Sequence, residues 1–141
     1  MAGNGSPFTS GDGGPATSAS IHNPVAVAVD SAGNLYIAEL LAQRVRKVNP
    51  SGTISTVPSL PVLAPYALAV DSADNLYVAD QQARVYKVAT SGAVTTVAGN
   101  GTGDATGDGG PATSASVQPT GLAVDSTVIS TSPTTAIASA R

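Results

Sequence analysis

The chain has no cysteine and no tryptophan, and only one histidine and one phenylalanine. Without cysteine there is no disulfide framework and no thiolate zinc site. One histidine is too few to build an imidazole metal centre within a single chain. Charge is scarce: 11% of residues are charged, against about 25% in an average domain. Six lysines and arginines under a net charge of −3 leave no footprint for nucleic acid. No apolar run approaches the roughly 18 residues of a membrane-spanning helix. The opening MAGNGSPFTSGDGG lacks the basic and apolar regions of a signal peptide. GxSxG and P-loop patterns are absent. What remains is 141 residues, enough for one ordinary domain. They are rich in Val, Ala, Ser and Thr, with 15 Gly and 10 Pro, a composition that suits short strands joined by turns.

Internal repeats organise the chain. The string GDGGPATSAS runs from Gly11 to Ser20 and again from Gly107 to Ser116. AGNG stands at Ala2 to Gly5 and at Ala98 to Gly101, in the same phase. A second repeat lies inside the first. Pro24 opens PVAVAVDSAGNLYIAELLAQRVRKV, and Pro65 opens PYALAVDSADNLYVADQQARVYKV. A third copy opens at Pro119 with PTGLAVDS and loses the pattern after Ser126.

Each unit reads as four short strands. In the first these are Val25 to Val29, Leu35 to Ala38, Arg44 to Val48 and Ile54 to Val57. In the second they are Ala67 to Val70, Leu76 to Ala79, Arg84 to Val88 and Val94 to Val97. DSAGN and DSADN join the first two strands with residues that tolerate positive φ. Four antiparallel strands per unit of about 40 residues predict an all-β fold of propeller blades. A single antiparallel sandwich is the other architecture, and the near-identical units speak against it. The expected layout is a linker loop over 1–23, a blade over 24–58, a blade over 65–97, a second linker over 98–118, the start of a third blade over 119–126, and a tail over 127–141.

PxxxAVDSAGNLYIAE followed by RVRKV resembles the NHL repeat over about residues 1 to 126. AGNG and GDGGPATSAS resemble the linkers of bacterial secreted or envelope members. The resemblance implies a closed propeller, usually of six blades, of which this chain holds about two and the start of a third. It implies a non-catalytic platform for a protein or small ligand, exported to the extracellular space or cell envelope in its intact form. Two alternatives stay open: a piece of a propeller lyase or lactonase with its catalytic residues on other blades, and a structural spacer in an extracellular multidomain protein. No cofactor is expected.

Both ends depart from the repeat. Met1 stands where Val97 stands in the later copy, and a GTG valine codon can be read as a bacterial start. The chain is therefore expected to begin within a propeller. The tail TVISTSPTTAIASAR replaces a second strand. Permitted codons for it, read in a shifted frame, encode GNLYISDNSNSVRK, which aligns with DNLYVADQQARVYK of Asp74 to Lys87. Two bases of each shifted codon are fixed by the observed residue, except where that residue is Ser130, Ser132, Ser139 or Arg141, whose codons open in two ways. Residues from Thr127 onward are therefore expected to be an out-of-frame translation; the alternative is a genuine Ser/Thr-rich disordered tail. Two blades alone leave apolar faces open, so self-association through those faces is expected, three copies closing a six-blade ring.

The candidate chemistry is sparse. Asp12 and Asp108, in the GDGGP loops, are candidates for an ion site. The preferred reading is a tight turn into a short helix over Ala16 to Ile21 and Ala112 to Val117, with the Asp near the N-cap. Asp30, Asp71 and Asp125 end the first strand of each unit. With Gly33, Asn34 and Asn75 they read as structural turn residues held by side-chain to backbone bonds. Glu39 with Arg44, and Asp80 with Arg84, are expected to pair or to tie down their hairpin turn, and Arg44 and Arg84 are candidate binding residues. Arg44, Arg46, Lys47, Arg84 and Lys87 form a basic stripe, but without stacking aromatics beyond Tyr86 it does not suit RNA. Tyr36 and Tyr77 read as core, and His22 as a loop residue with no catalytic partner.

Overall fold

The computed structural model describes residues 1–104, 106–124, 128–133 and 137–139. Asp125 and Ser126 lie outside them. Strands β1 (Pro24–Val29), β2 (Leu35–Glu39), β3 (Arg44–Val48) and β4 (Ile54–Thr56) form one antiparallel meander. Strands β5 (Pro65–Val70), β6 (Leu76–Asp80), β7 (Arg84–Val88) and β8 (Val94–Ala98) form the second. A third sheet holds β9 (Pro119–Val124), β10 (Val128–Pro133) and β11 (Ile137–Ser139). The eight blade strands fall within two residues of the positions read from the repeat. The two blades also share their irregularity, a register shift after the opening proline at Pro24/Ala26 and at Pro65/Ala67. Of the tail strands, β10 pairs in backbone with the edge of β9 and β11 with β10, as β-branched residues beside an open ladder can do without belonging to the repeat.

Inner strands β1, β5 and β9 lie side by side, so the sheets stack like blades about an axis. The pleat places Ala26, Ala28, Tyr36, Ala38 and Val45 on one face of the first blade. They pack against Leu68, Leu76, Val78, Tyr86 and Val88 of the second. The far face of the second blade, Ala67, Tyr77, Ala79, Val85 and Ala98, meets Leu122 and Val124 of β9. The far face of the first blade is covered at its outer edge by the first linker, through Ala16 and Ala19 against Ile54. Its inner edge is open, with Val27 63% and Val29 59% exposed.

The linkers correct one expectation. Residues 16–18 form a turn and Ser20 a bridge to Ser10, with no helix over 16–21, and the second linker has only a 3-10 turn at Ala112–Ser114. Neither Asp12 nor Asp108 caps it; Pro111 precedes the turn and no side chain caps its amides. So short a segment cannot sustain an α-helix, and each is held from outside. Gly3 and Asn4 amides donate to the Ala16 and Ala19 carbonyls, and Gly99 and Asn100 amides donate to those of Ala112 and Ala115.

Gly99 shows how tightly the second linker leaves its blade. It has φ +88, and a Cβ there would overlap the Ala83 carbonyl oxygen and crowd Val117. Gly13 has a similar φ of +85 with open space around it. Gly99→Ala should therefore cost about 3 kcal/mol, from backbone strain and overlap together. Gly13→Ala should cost about 1 kcal/mol from strain alone. Urea unfolding of the two variants measures the difference, and equal losses would show that the close approach does not matter.

Candidate functional site

Two polar arrangements recur or stand out. The first closes the β1–β2 and β5–β6 turns. Asp30 accepts hydrogen bonds from the Asn34 amide (2.8 Å), the Asn34 side chain (2.7 Å) and the Tyr36 hydroxyl (3.1 Å). Asp71 does the same with Asn75 (2.9 Å from the amide) and Tyr77 (3.0 Å from the hydroxyl). Burial pushes each carboxyl upward, but the bonds from Asn34 and Tyr36, or from Asn75 and Tyr77, outweigh it and hold both below the ordinary carboxylate range. Burial and the accepting aspartate raise Tyr36 and Tyr77 to about 12. Gly33, at φ +82, makes the first turn; Asp74, at φ +61, takes its place in the second. That substitution has a use. The Asp74 carboxylate accepts from the Ser31 amide at 2.8 Å and the Ser31 hydroxyl at 2.5 Å, tying the blades together at this end.

Above that tie lies a cavity of about 340 Å³ between the blades, lined by Asp30, Tyr36, Lys47, Asp74, Leu76 and Val88 among others. The Lys47 ammonium sits 5.6 Å from the centre of the Tyr36 ring, and Lys87 sits 5.8 Å from that of Tyr77. The cavity is lined by both apolar and charged side chains, which suits a small ligand or a protruding side chain of a partner.

The second arrangement is buried under the first linker. Glu39 and Arg46 are both 0% exposed. Arg46 pairs with Asp12 at 2.8 Å and Glu39 at 3.4 Å, and donates to the carbonyls of Ser10 (3.1 Å) and Ser20 (3.3 Å). Arg44 pairs with Glu39 at 3.1 Å and donates to the Thr9 hydroxyl. Glu39 also accepts from the His22 amide at 2.6 Å, and Asp12 from Thr56 at 2.6 Å. The charges balance within the cluster. Its groups hold the linker to β3 and β4, and Arg46 Nε alone is buried without a partner among the described residues.

The second blade is built otherwise. Asp80 does not pair with Arg84. One methylene shorter than Glu39, it spends both oxygens on backbone amides, those of Leu63 and Gln82, each at 2.8 Å. Arg84 turns to the Asn100 carbonyl at 3.4 Å. Tyr86 occupies the register of Arg46 and packs toward the first blade. Asp108 is exposed and makes no hydrogen bond among the described residues, and Asp125 lies outside them. No group of three or more potential metal-ligating side chains occurs among the described residues. Arg46 and Asp74 are the residues whose roles repeat reading does not show. Their signal is that each breaks the repeat, Arg46 against Tyr86 and Asp74 against Gly33.

No protein-family model and no curated protein matches the chain. Solved structures do. One is a catalytically inactive histidine-to-alanine variant of virginiamycin B lyase from Staphylococcus aureus with quinupristin. It aligns at TM-score 0.57 and 15% identity over 82% of this chain and 36% of that one. Another is a streptogramin B lyase, at TM-score 0.56 and 16% identity over 82% of this chain and 39% of that one. At such identity the likeness shows a β-propeller fold, and this chain spans well under half of either protein.

Two outcomes follow from the polar geometry. Tyr36 and Tyr77 have folded pKa values of about 12, above the ordinary 10.0. Their stabilisation is complete below pH 10 and is lost as pH rises toward 12. Urea midpoints should fall over that range, and the Tyr36→Phe, Tyr77→Phe double variant should show a shallower fall. Arg46→Tyr, which imports the second blade's residue, should cost about 3 kcal/mol by stranding buried carboxylate and carbonyls. Asp12→Asn should cost less than about 1 kcal/mol, because the Asp12 side chain is 43% exposed. Amide exchange at Ala16 and Ile54 should speed up strongly in the first variant and little in the second.

Proposed function

We propose that the chain is part of an NHL-type propeller serving as a non-catalytic interaction platform, with the groove between its blades offered to a protein or small ligand. One observation carries this reading: the buried or partly buried carboxylates are committed to structure. Asp30 and Asp71 close turns, Glu39 holds the linker, and Asp80 is filled by two amides. Lys47, which lines the inter-blade cavity, forms no ion pair among the described residues. The repeat strings support the NHL assignment and an exported intact protein. The open valines of β1 occupy the register that β5 uses to meet β1, which supports self-association with another blade of this kind.

A second reading is a fragment of a lyase-type enzyme, favoured by the two propeller neighbours. In the inactive variant it was a histidine that had been replaced. Here the one histidine, His22, offers its backbone amide to Glu39, and its imidazole has no hydrogen-bond partner among the described residues. Incubation of the chain with quinupristin, followed by chromatography, tests whether these blades carry the activity themselves. The platform reading expects no turnover above a protein-free control. Turnover that disappears in His22→Ala would overturn it in favour of the enzyme.

A further inference from the structure

The two linkers are one fold with different occupancy. In both, an asparagine side chain ties the loop, Asn4 to the Ser18 carbonyl at 3.0 Å and Asn100 to the Ser114 carbonyl at 3.1 Å. In both, the first glycine of GDGGP crosses an alanine so closely that a Cβ would meet its Cα, at 2.8 Å for Gly11 on Ala19 and 2.9 Å for Gly107 on Ala115. The first linker is filled. It grips the β3–β4 hairpin through the Gly13 amide on the Ile54 carbonyl (2.8 Å), the Ile54 amide on the Gly14 carbonyl (3.0 Å) and the Ala16 amide on the Gly52 carbonyl (2.8 Å). Asp12 and two carbonyls receive the Arg46 guanidinium. The second linker shows none of these outward bonds among the described residues, and residues 107–111 are exposed. The second blade cannot fill it, because Tyr86 stands in place of Arg46 and faces the other way.

We propose that residues 98–104 and 106–118 form a preformed socket for a β-hairpin that carries an arginine at the middle of its third strand. The occupant is the third blade, encoded by the tail codons in their shifted frame. With C as the third base of the Ser139 codon the string ends SVRK, and its arginine falls at the register of Arg46 and Tyr86. The blade that follows a linker thus regains the arginine, and the blade without a linker keeps tyrosine. The genetic code makes this a narrow statement. The last two bases of that shifted codon are the GC of the Ala140 codon, so only Ser, Arg, Gly or Cys can stand there. Of these, arginine alone can reach both an aspartate and two carbonyls.

The source DNA gives the first test. The Ser139 codon must end in C, which makes the shifted codon arginine; any other base overturns the proposal. The second test uses the full chain and a version with residues 128–141 replaced by the shifted-frame string. Asp108→Ala should lower the Tm of the shifted-frame chain by about 4 °C and leave that of the present chain nearly unchanged. Replacing the new arginine by tyrosine should abolish the Asp108 effect. An Asp108 effect equal in both chains overturns the socket. If the shifted-frame chain fails to fold, the Ser139 codon still decides. Neither result depends on whether quinupristin is turned over, so this inference and the functional reading fail separately.

Discussion

Each blade has two apolar faces, and neither can be left in water. This constraint shapes the molecule more than any single contact. The strands carry Ala and Val on both sides, so a blade has no solvent face on which to end, unlike an ordinary hairpin sheet. The first blade meets the second through one face, and the second meets β9 through its other. Small side chains bring the sheets close but bury little area each, so stability rests on stacking one blade on the next. The exposed Val27 and Val29 mark where that stacking is interrupted.

The first linker is the second way to cover a face, and it changes the chemistry of what lies beneath. A blade packed on a blade can be apolar to its edge, as Tyr86 shows. A blade covered by a loop meets backbone carbonyls that need donors. Arg46 supplies them, and Asp12 and Glu39 neutralise the charge it brings inside. Such a buried cluster contributes little net stability compared with apolar packing. What it supplies is register: only one seating of the loop satisfies the guanidinium and both carboxylates.

Strand positions and the Asp30 and Asp71 turns were legible because each is local. An aspartate, an asparagine four residues on and a tyrosine six residues on meet within one hairpin, whatever packs around them. The lack of a pair between Asp80 and Arg84 was not, because it turned on one methylene and on the Leu63 amide arriving from another segment. The helix in the linkers failed for a similar reason. Pro and Ala favour a helical start, but the Gly3 and Asn4 amides, and their later equivalents, claim the carbonyls of these turns. Arg46 looked like one member of a basic stripe, and only the loop folded over it shows why it differs from Tyr86. Long-range partners decide these residues, and single-sequence patterns carry long-range information only where a repeat is broken.

Broken positions in a repeat are therefore where function and assembly are written. Asp74 replaces Gly33 at a conformation that glycine tolerates more readily, and the backbone strain is offset by an inter-blade bond to Ser31. Arg46 replaces an aromatic residue in a face that packs more simply without charge, and its desolvation is offset by the linker. In both cases a locally unfavourable residue is held by a partner more than 30 positions away in sequence. Lys47 and Lys87 differ from these, since they keep the repeat and lie over equivalent tyrosines. A feature repeated in both blades describes the scaffold, whereas the inter-blade cavity is lined by Asp74 from one blade and Lys47 from the other.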